Sequence, residues 1–385
     1  MYPRHGSASS PWVGERSEAA IPIGMSPLDF QFVDQALHFP ELLLWLDAHR
    51  AQKKGEAVFV SHAHSDHTAA HAEVFVSPPT QKLMRARVKG VRVEHVLPFG
   101  QRVDLRTGEF GVRRPAHLTL LPAGHIFGSA MSLLEADGGS VLYTGDFKLR
   151  PGLTAEACQP VPARVLIMET TFGRPKYVFP PVAEVMAGVV QFCREALDRG
   201  EIPVLLGYSL GKAQEILAGF RGTGLPLMLD APVAKLTQVY EEMGQTFPPH
   251  AEWNPERATG HVVLAPPGLS LARLREKLPR ARIAVLTGWA VDSGCRYRYR
   301  ADTAFPLCDH ADFPDLLEFV RQVAPERIYT LHGFAADFAE TLRGHGYFAE
   351  ALGQTEQLEF SLGAVCRSVR REGPASSRGA QVISP

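Results

Sequence analysis

Apolar and polar positions follow one pattern up to about residue 177. Short apolar runs are separated there by turns rich in glycine, proline and aspartate, which is typical of β-strands. A helical spacing predicts helices at 68–73 and 80–88. The predicted strands are 57–60, 74–77, 117–122, 130–135, 140–143 and 164–168.

From Pro180 the pattern changes to helices that alternate with strands. Such alternation predicts a parallel sheet covered by helices, bounded at residues 178 and 303. The predicted elements are helix 182–199, strand 202–206, helix 211–220, strand 225–229, helix 233–243, strand 261–265, helix 271–278 and strand 282–286. After this unit the chain is predicted to form a helix through Val323, a strand at 327–331, a helix at 336–344 and a weak strand near Leu358.

The two ends have compositions that do not support a packed core. Residues 1–25 are rich in serine, proline, glycine and glutamate and are predicted to be a mobile extension. Residues 366–385 are rich in arginine, serine and glycine and are predicted to be a disordered tail. The sequence therefore divides into a core of residues 26–177 and 304–365 and an insertion of residues 178–303.

Composition limits the kinds of partner and compartment. A formal net charge of −1 and a pI near 7.0 give no overall basic field, so contacts with nucleic acid require a local basic patch. The five cysteines contain no CxxC pair and are odd in number, which favours reduced thiols and a cytoplasmic location. No apolar run approaches the length of a membrane span, so we expect no membrane partner.

The strongest chemical signal is the stretch 61–67, which reads Ser-His-Ala-His-Ser-Asp-His and follows the apolar run 57–60. Its side chains His62, His64, Asp66 and His67 can all bind a divalent metal. The two histidines at 62 and 64 would project to the same side, while Asp66 and His67 follow the turn and can serve a second ion. The alternative is a polar surface loop, but later segments supply further ligands.

Two further candidates lie at predicted strand ends, and one lies before the histidine stretch. His125 follows Gly124 and Asp146 follows Gly145, and the small glycines let the backbone pass close to an ion. Asp47 ends an apolar run one predicted hairpin before the stretch. It is either an ordinary turn residue or the acceptor that fixes the tautomer of a ligand imidazole.

These residues together resemble the metallo-β-lactamase fold, an αββα sandwich. Three later motifs are similar to those of the β-CASP nucleases, namely Glu169-Thr-Thr-Phe-Gly, Asp309-His310-Ala-Asp312-Phe and Leu331-His332-Gly333. Three others most resemble bacterial DNA-ligase-associated exonucleases, namely the run at 207–214, Ala265-Pro-Pro and Thr287-Gly-Trp289-Ala. The resemblance implies an α/β fold, a metallo-β-lactamase αββα sandwich with an inserted β-CASP doubly wound α/β domain.

The resemblance also implies a role for each candidate side chain. One metal would be held by His62, His64 and His125, a second by Asp66, His67 and His332, and Asp146 would bridge the two. The cofactor would be two divalent ions, zinc in the first place and manganese as the alternative. Such a pair can lower the pKa of a bridging water and neutralise charge on a phosphodiester.

Family analogy gives His310 contact with the scissile phosphate and a proton for the leaving oxygen. Glu169 would orient His310 or a ligand histidine. With Asp66 and Asp47 these residues form the predicted catalytic set. The alternative for His310 is a structural histidine at a helix start capped by Asp309.

Substrate contacts are predicted at two places. Ser209 and Lys212 lie between a strand and a helix, where they could bind a backbone phosphate or simply cap the helix. Arg296, Arg298 and Arg300 alternate with two tyrosines and, if extended, would put three arginines on one face. A solvated edge strand explains the same residues. The other histidines, including His49 and His71, are predicted to be structural or surface residues.

The predicted function is a two-metal phosphodiesterase that acts on DNA, an exonuclease that trims ends in repair. The resemblance implies a functional association with an ATP-dependent DNA ligase and a helicase. The main alternative is an RNA-processing nuclease of the same architecture. Hydrolysis of small esters or thioesters and a catalytically inactive scaffold are the remaining alternatives. The active site is predicted in the cleft between the core and the insertion.

Overall fold

The structure is a computed structural model that describes residues 28–105, 115–268, 271–353 and 381–383. The predicted extension 1–25 and the weak strand near Leu358 lie outside the described residues. Within these ranges, no helix combines the length and the apolar character that crossing a membrane requires.

Two mixed sheets of seven strands each form the core. The strands of the first sheet are β1 (Phe30–Val33), β2 (Ala36–Phe39), β3 (Leu44–Leu46), β4 (Ala57–Phe59), β5 (Glu73–Val76), β6 (Val93–Val96) and β20 (Gln381–Ile383), in the order β20-β1-β2-β3-β4-β5-β6. The strands of the second are β7 (Arg102–Asp104), β8 (Ala116–Pro122), β9 (Ala130–Ala136), β10 (Gly139–Tyr143), β11 (Val165–Glu169), β18 (Arg327–Leu331) and β19 (Ala349–Ala351), in the order β19-β18-β11-β10-β9-β8-β7.

The two sheets share one apolar core. Phe30 and Phe59 of the first sheet belong to the same buried cluster as Leu118 and Tyr329 of the second. Helices cover the outer faces: α1 (Pro78–Arg87) packs on the first sheet, and α7 (Phe313–Val323) and α8 (Ala335–Gly344) pack on the second. The predicted αββα sandwich is confirmed, because each sheet buries one face on the other sheet and one on helices.

The third sheet has six strands and all of its pairings are parallel. Its strands are β12 (Ile202–Leu206), β13 (Leu227–Leu229), β14 (His250–Glu252), β15 (Val262–Ala265), β16 (Ala281–Leu286) and β17 (Thr303–Phe305), in the order β14-β13-β15-β12-β16-β17. Helices α2 (Val182–Asp198), α3 (Lys212–Gly219) and α4 (Ala231–Glu242) pack on one face, and α5 (Leu271–Lys277) packs on the other. The predicted doubly wound unit is confirmed. Its last strand ends two residues beyond the predicted boundary at 303.

The third-sheet unit is joined to the sandwich by apolar and polar contacts. Leu236 and Tyr240 of α4 belong to the same buried cluster as Leu83 and Met84 of α1. Lys235 Nζ donates to the carbonyl of Ala86 at 2.6 Å. These contacts fix the insertion against the core at the edge where the site lies.

Two local predictions are wrong. Residues 68–72 form no helix, because the chain must turn from the histidine stretch directly into β5 at Glu73. The arginines at 296 and 298 lie in the short helix α6 (Cys295–Arg298) and not in a strand. Cys295 is buried and anchors that turn, so the arginines do not form one extended face.

Two longer-range expectations also change. Strand β3 pairs with β4 in parallel, so Asp47 is joined to the histidine stretch by a parallel pairing and not by a hairpin. Residues 381–383, within the tail predicted to be disordered, form β20 and pair antiparallel with β1. The rest of that tail lies outside the described residues.

Candidate metal centre

The parallel strands bring the candidate residues to one edge of the sandwich. In the first sheet, Asp47 follows β3 and the stretch 61–67 follows β4. In the second sheet, Asp146 follows β10, Glu169 ends β11 and His332 follows β18, and these three strands are mutually parallel neighbours. The carboxyl ends of parallel strands meet at a common edge, which is where α/β proteins commonly place their ligand sites.

Four side chains converge at this edge, His62, His64, His125 and Asp146, with ligand atoms that all lie within 4.8 Å of one another. His64 Nδ1 lies 2.9 Å from His62 Nε2 and 3.2 Å from His125 Nε2. Asp146 Oδ2 lies 3.6 Å from His62 Nε2 and 3.8 Å from His125 Nε2. Three imidazoles and one carboxylate form a donor set that suits a tetrahedral zinc ion. The cluster can therefore hold a metal.

The other predicted ligands are Asp66, His67 and His332. His67 Nε2 lies 3.4 Å from Asp146 Oδ2 and 4.0 Å from Asp66 Oδ2. The rings of His67 and His332 have centroids 6.1 Å apart. His332 has a φ of 59°, and Gly333 follows at 54°, so the chain turns back sharply after β18. The Oδ2 atom of Asp146 thus lies within 3.8 Å of histidines from both predicted ligand groups.

In four imidazoles of the site, the ring nitrogen that faces away from the cluster is hydrogen-bonded. The pairs are His62 Nδ1 with Ser61 Oγ at 2.9 Å, His64 Nε2 with the Leu210 carbonyl at 3.1 Å, His67 Nδ1 with Asp47 Oδ2 at 2.9 Å, and His125 Nδ1 with the Asp309 carbonyl at 2.8 Å. Each acceptor favours the proton on the outward nitrogen, and in the neutral rings of His62, His64 and His125 this leaves the lone pair on the inward nitrogen.

Asp47 is the hydrogen-bonding hub of this arrangement. Its buried carboxylate accepts from the Ser61 backbone N–H at 2.7 Å, from Ser61 Oγ at 2.6 Å, from His67 Nδ1 at 2.9 Å and from the Tyr143 hydroxyl at 2.9 Å. The hydrogen bond to a histidine of the stretch agrees with the expectation for Asp47. The contributions of Ser61 and Tyr143 were not predicted.

Asp47→Asn is expected to weaken both folding and metal binding. A carboxamide has one acceptor oxygen, so at least one buried donor loses its partner, at a cost of about 1–3 kcal/mol in the free energy of unfolding. Loss of such a supporting partner typically lowers metal affinity by about 10–100-fold. Chemical denaturation and zinc titration measure the two effects. Asp34→Asn is the control, because Asp34 pairs with Arg50 at the surface. Equal free energies of unfolding and equal zinc affinities in Asp47→Asn and Asp34→Asn would contradict a supporting role for Asp47.

Burial keeps most of the imidazoles neutral. It lowers the pKa of His64 and His332, and it lowers the pKa of His62 well below its usual value, helped by the charges of the neighbouring histidines. Burial and the nearby His310 lower the pKa of His125 to about 4. Neutral imidazole is the form that binds metal, so these rings are ready ligands at neutral pH.

His67 and Asp146 form a charged pair. Burial disfavours the charged form of His67, but Asp146 and Asp47 outweigh it and raise the pKa well above the usual value. Burial likewise opposes ionisation of Asp146, and His67 nevertheless holds its pKa well below the usual range. A divalent cation at this position would take the place of the proton on His67 as the partner of the carboxylate.

His310 and Glu169 form a hydrogen-bonded pair beside the cluster. His310 Nδ1 donates to Glu169 Oε1 at 2.7 Å, and the two carboxylate oxygens accept from the backbone N–H groups of Phe147 at 3.0 Å and Thr171 at 3.1 Å. Burial would lower the pKa of His310, but the Glu169 carboxylate raises it to about 10. The His310 ring centroid lies 4.6 Å from that of His125. A protonated imidazole therefore lies next to the rings of the candidate metal centre.

The predicted substrate contact of Lys212 is wrong. Its side chain is only 2% exposed, and Nζ donates to the Leu307 carbonyl at 2.7 Å and pairs with Asp309 at 2.9 Å. A lysine buried and paired in this way does not reach a phosphate in solvent. Ser209 remains half-buried beside Leu210, and its carbonyl accepts from Gln214.

The arginine group also differs from its predicted form. Arg296 stacks on the exposed ring of Tyr297 within α6, with 4.6 Å between the guanidinium carbon and the ring centroid. Arg300 follows the helix in a left-handed backbone conformation, at a φ of 50°. The three arginines therefore do not line one strand face, and phosphate contact by them stays a prediction.

Sequence reasoning placed His49 among the structural or surface histidines. Its ring centroid lies 6.4 Å from that of His67, at the rim of the cluster. The position of His49, two residues after Asp47 in the same turn, could have indicated that it lies near the site.

Comparison with known proteins adds relatives and one fold neighbour. No family model matches the chain. The chain is 52% identical over 337 residues to a "Probable DNA ligase" of Opitutus terrae, covering 87% of this chain and 32% of that protein. It is 26% identical over 301 residues to DNA cross-link repair protein SNM1 of Arabidopsis thaliana, covering 71% and 60%. It is 27% identical over 216 residues to an RNase J-like protein of Methanocaldococcus jannaschii, covering 49% and 50%.

A solved structure supports the fold. A protein of unknown function from Enterococcus faecalis superposes with a TM-score of 0.52 at 12% sequence identity, covering 78% of this chain and 79% of that one. The chain spans about a third of the ligase-named relative and three fifths of the SNM1 relative.

Proposed function

We propose a function on the premise that the chain belongs to the β-CASP family of metallo-β-lactamase-fold proteins. The function is hydrolysis of phosphodiester bonds in nucleic acid, with two divalent ions, zinc in the first place, held at the edge of the sandwich. The observation that carries the proposal is the convergence of His62, His64, His125 and Asp146 beside the His310–Glu169 pair. A small-ester hydrolase would not require that second unit.

Each site residue has its own proposed role. His62, His64 and His125 would hold one ion, Asp66, His67 and His332 the other, and Asp146 would bridge them. When bound, the ions supply Lewis acidity that stabilises charge on the phosphate and lowers the pKa of a water molecule. Asp47 keeps His67 in the tautomer that presents Nε2 to the centre.

His310 is the proposed proton donor. In hydrolysis of a phosphodiester, the bond from phosphorus to the leaving oxygen breaks, and that oxygen takes a proton. Glu169 holds the His310 Nδ1–H, so Nε2 is the nitrogen left to give a proton to the leaving oxygen. The buried Glu169 carboxylate stabilises the protonated ring before the transfer.

DNA is the proposed substrate, and trimming of ends in repair the proposed task. The support is the cross-link repair relative and the higher identity to a protein named for DNA ligation. An association with an ATP-dependent DNA ligase and a helicase is part of the proposal, and the name of the ligase-named relative supports its ligase part alone. RNA is the second candidate, because an RNase J-like protein is also a relative.

Digestion of matched DNA and RNA oligonucleotides tests the proposal. Each is labelled at the 5′ or the 3′ end, and metal-stripped protein is supplied with zinc or manganese. We expect cleavage of DNA from an end in the presence of metal and none by the double variant Asp66→Ala/His67→Ala. Absence of cleavage under all conditions would refute the nuclease, and persistence in the double variant would refute the metal assignment. Faster cleavage of RNA would favour the second candidate.

A further inference from the structure

The inserted domain reaches the metal centre through the junction between β12 and α3, residues 210–212. The Leu210 carbonyl accepts from His64 Nε2 across 146 positions of sequence. Gly211 has a φ of 81°, and a Cβ there would lie 2.1 Å from Ile126 Cγ2 and 3.9 Å from His64 Nε2. The backbone of the insertion thus touches both the imidazole and the loop that carries His125.

Lys212 continues this contact with a buried charge. Its Nζ donates to the Leu307 carbonyl and pairs with the Asp309 carboxylate, while the Asp309 carbonyl accepts from His125 Nδ1. Lys212 therefore holds, from the inserted domain, the segment whose carbonyl fixes the ring of His125. The same segment continues into His310.

The need to dock the inserted domain on the core does not by itself explain why a lysine is buried at position 212. Removing an ammonium group and a carboxylate from water costs several kcal/mol each, and well-packed apolar residues often join two surfaces equally well. The apolar cluster between α1 and α4 already joins the domains. What the charged pair adds is a defined position for residues 307–309.

We propose that Lys212 is a positioning residue of the metal centre, which orients His125 through Asp309 as the Leu210 carbonyl orients His64. Of the three imidazoles His62, His64 and His125, the last two are then oriented by contacts from the inserted domain. Metal binding and the docking of that domain are coupled as a result. This inference rests on the proposed function only in that the cluster binds a metal.

The test measures zinc affinity, by competition with a chromophoric chelator, and thermal stability in the full chain. Lys212→Met is expected to lower zinc affinity by about tenfold or more, the size expected when the support of a ligand is lost. A second variant, Lys212→Met/Asp309→Asn, also removes the Asp309 carboxylate, which has no partner once Lys212 is replaced. It keeps the backbone carbonyl of residue 309. In this double variant we expect thermal stability to recover and zinc affinity to stay low. Recovery of both together would show that Lys212 only neutralises Asp309.

Glu215→Gln is the matched control. Glu215 lies on the same helix, is 7% exposed, and accepts from the Leu153 N–H and the Thr154 hydroxyl of the core without contacting the histidines. We expect lower thermal stability and unchanged zinc affinity. Wild-type zinc affinity in Lys212→Met, or an equal loss in Glu215→Gln, would overturn the inference while the proposed function stands. Failure of the wild-type chain to bind zinc would overturn both.

Discussion

Replacing Asp146 by asparagine is expected to lower metal-dependent phosphodiester cleavage by more than about a hundredfold, since losing even a partner that supports a ligand costs about 10–100-fold. Asp146 Oδ2 lies within 3.8 Å of the Nε2 atoms of three histidines. Asparagine keeps the shape but removes the negative charge that would balance two cations. A large effect is therefore expected at the residue that is proposed to serve both ligand groups.

Metal analysis and single-turnover cleavage of an end-labelled DNA measure this effect. The variant should retain less metal than the wild-type chain after dialysis. Asp137→Asn is the matched control, because Asp137 is exposed in the turn between β9 and β10. Full metal content together with full cleavage in Asp146→Asn would rule out the bridging role.

His310→Ala is expected to lower kcat by about 10²–10⁴-fold, the usual contribution of a positioned proton donor. Metal content should not change, because His310 is assigned to the leaving group and not to either ligand set. Glu169→Gln should retain part of the activity, since its amide oxygen can still accept the His310 N–H but carries no charge. Metal content is measured together with kcat for each variant.

The exposed His345 provides the control substitution, His345→Ala. A loss of metal in His310→Ala that matches the loss of activity would identify His310 as a ligand instead. A substrate with a leaving group that needs no proton should restore much of the rate in His310→Ala. Absence of that rescue would contradict the role as an acid.

The sequence predicts those parts of the candidate metal centre whose residues lie close together along the chain. Three histidines and an aspartate stand within residues 62–67, and their spacing after an apolar strand already indicates a metal site. The convergence of His125 and Asp146 followed from strand ends preceded by glycine. Strands that run in the same direction, as β8 and β10 do on either side of the antiparallel β9, bring such ends to one edge of a sheet whatever their distance in sequence.

The supporting contacts could not be predicted because their partners are remote. Lys212 is 97 positions from Asp309, and nothing around it in the sequence distinguishes a buried ion pair from a helix-start phosphate site. Arg296, Arg298 and Arg300 alternate at a period of two, yet Arg296 and Arg298 lie in one helical turn with the buried Cys295, and Arg300 follows that turn. Tertiary burial, which the local pattern does not contain, decided both cases.

The left-handed backbone conformation at His332 lowers the stability of the fold, while the side chain at that position is proposed to bind metal. For a residue with a side chain this conformation costs roughly 1–2 kcal/mol, and glycine adopts it without that cost. A library of variants selected only for survival on heating would therefore favour glycine at this position and discard a proposed ligand. Selection for thermostable forms of this protein needs a parallel screen for activity, since the two demands conflict at this residue.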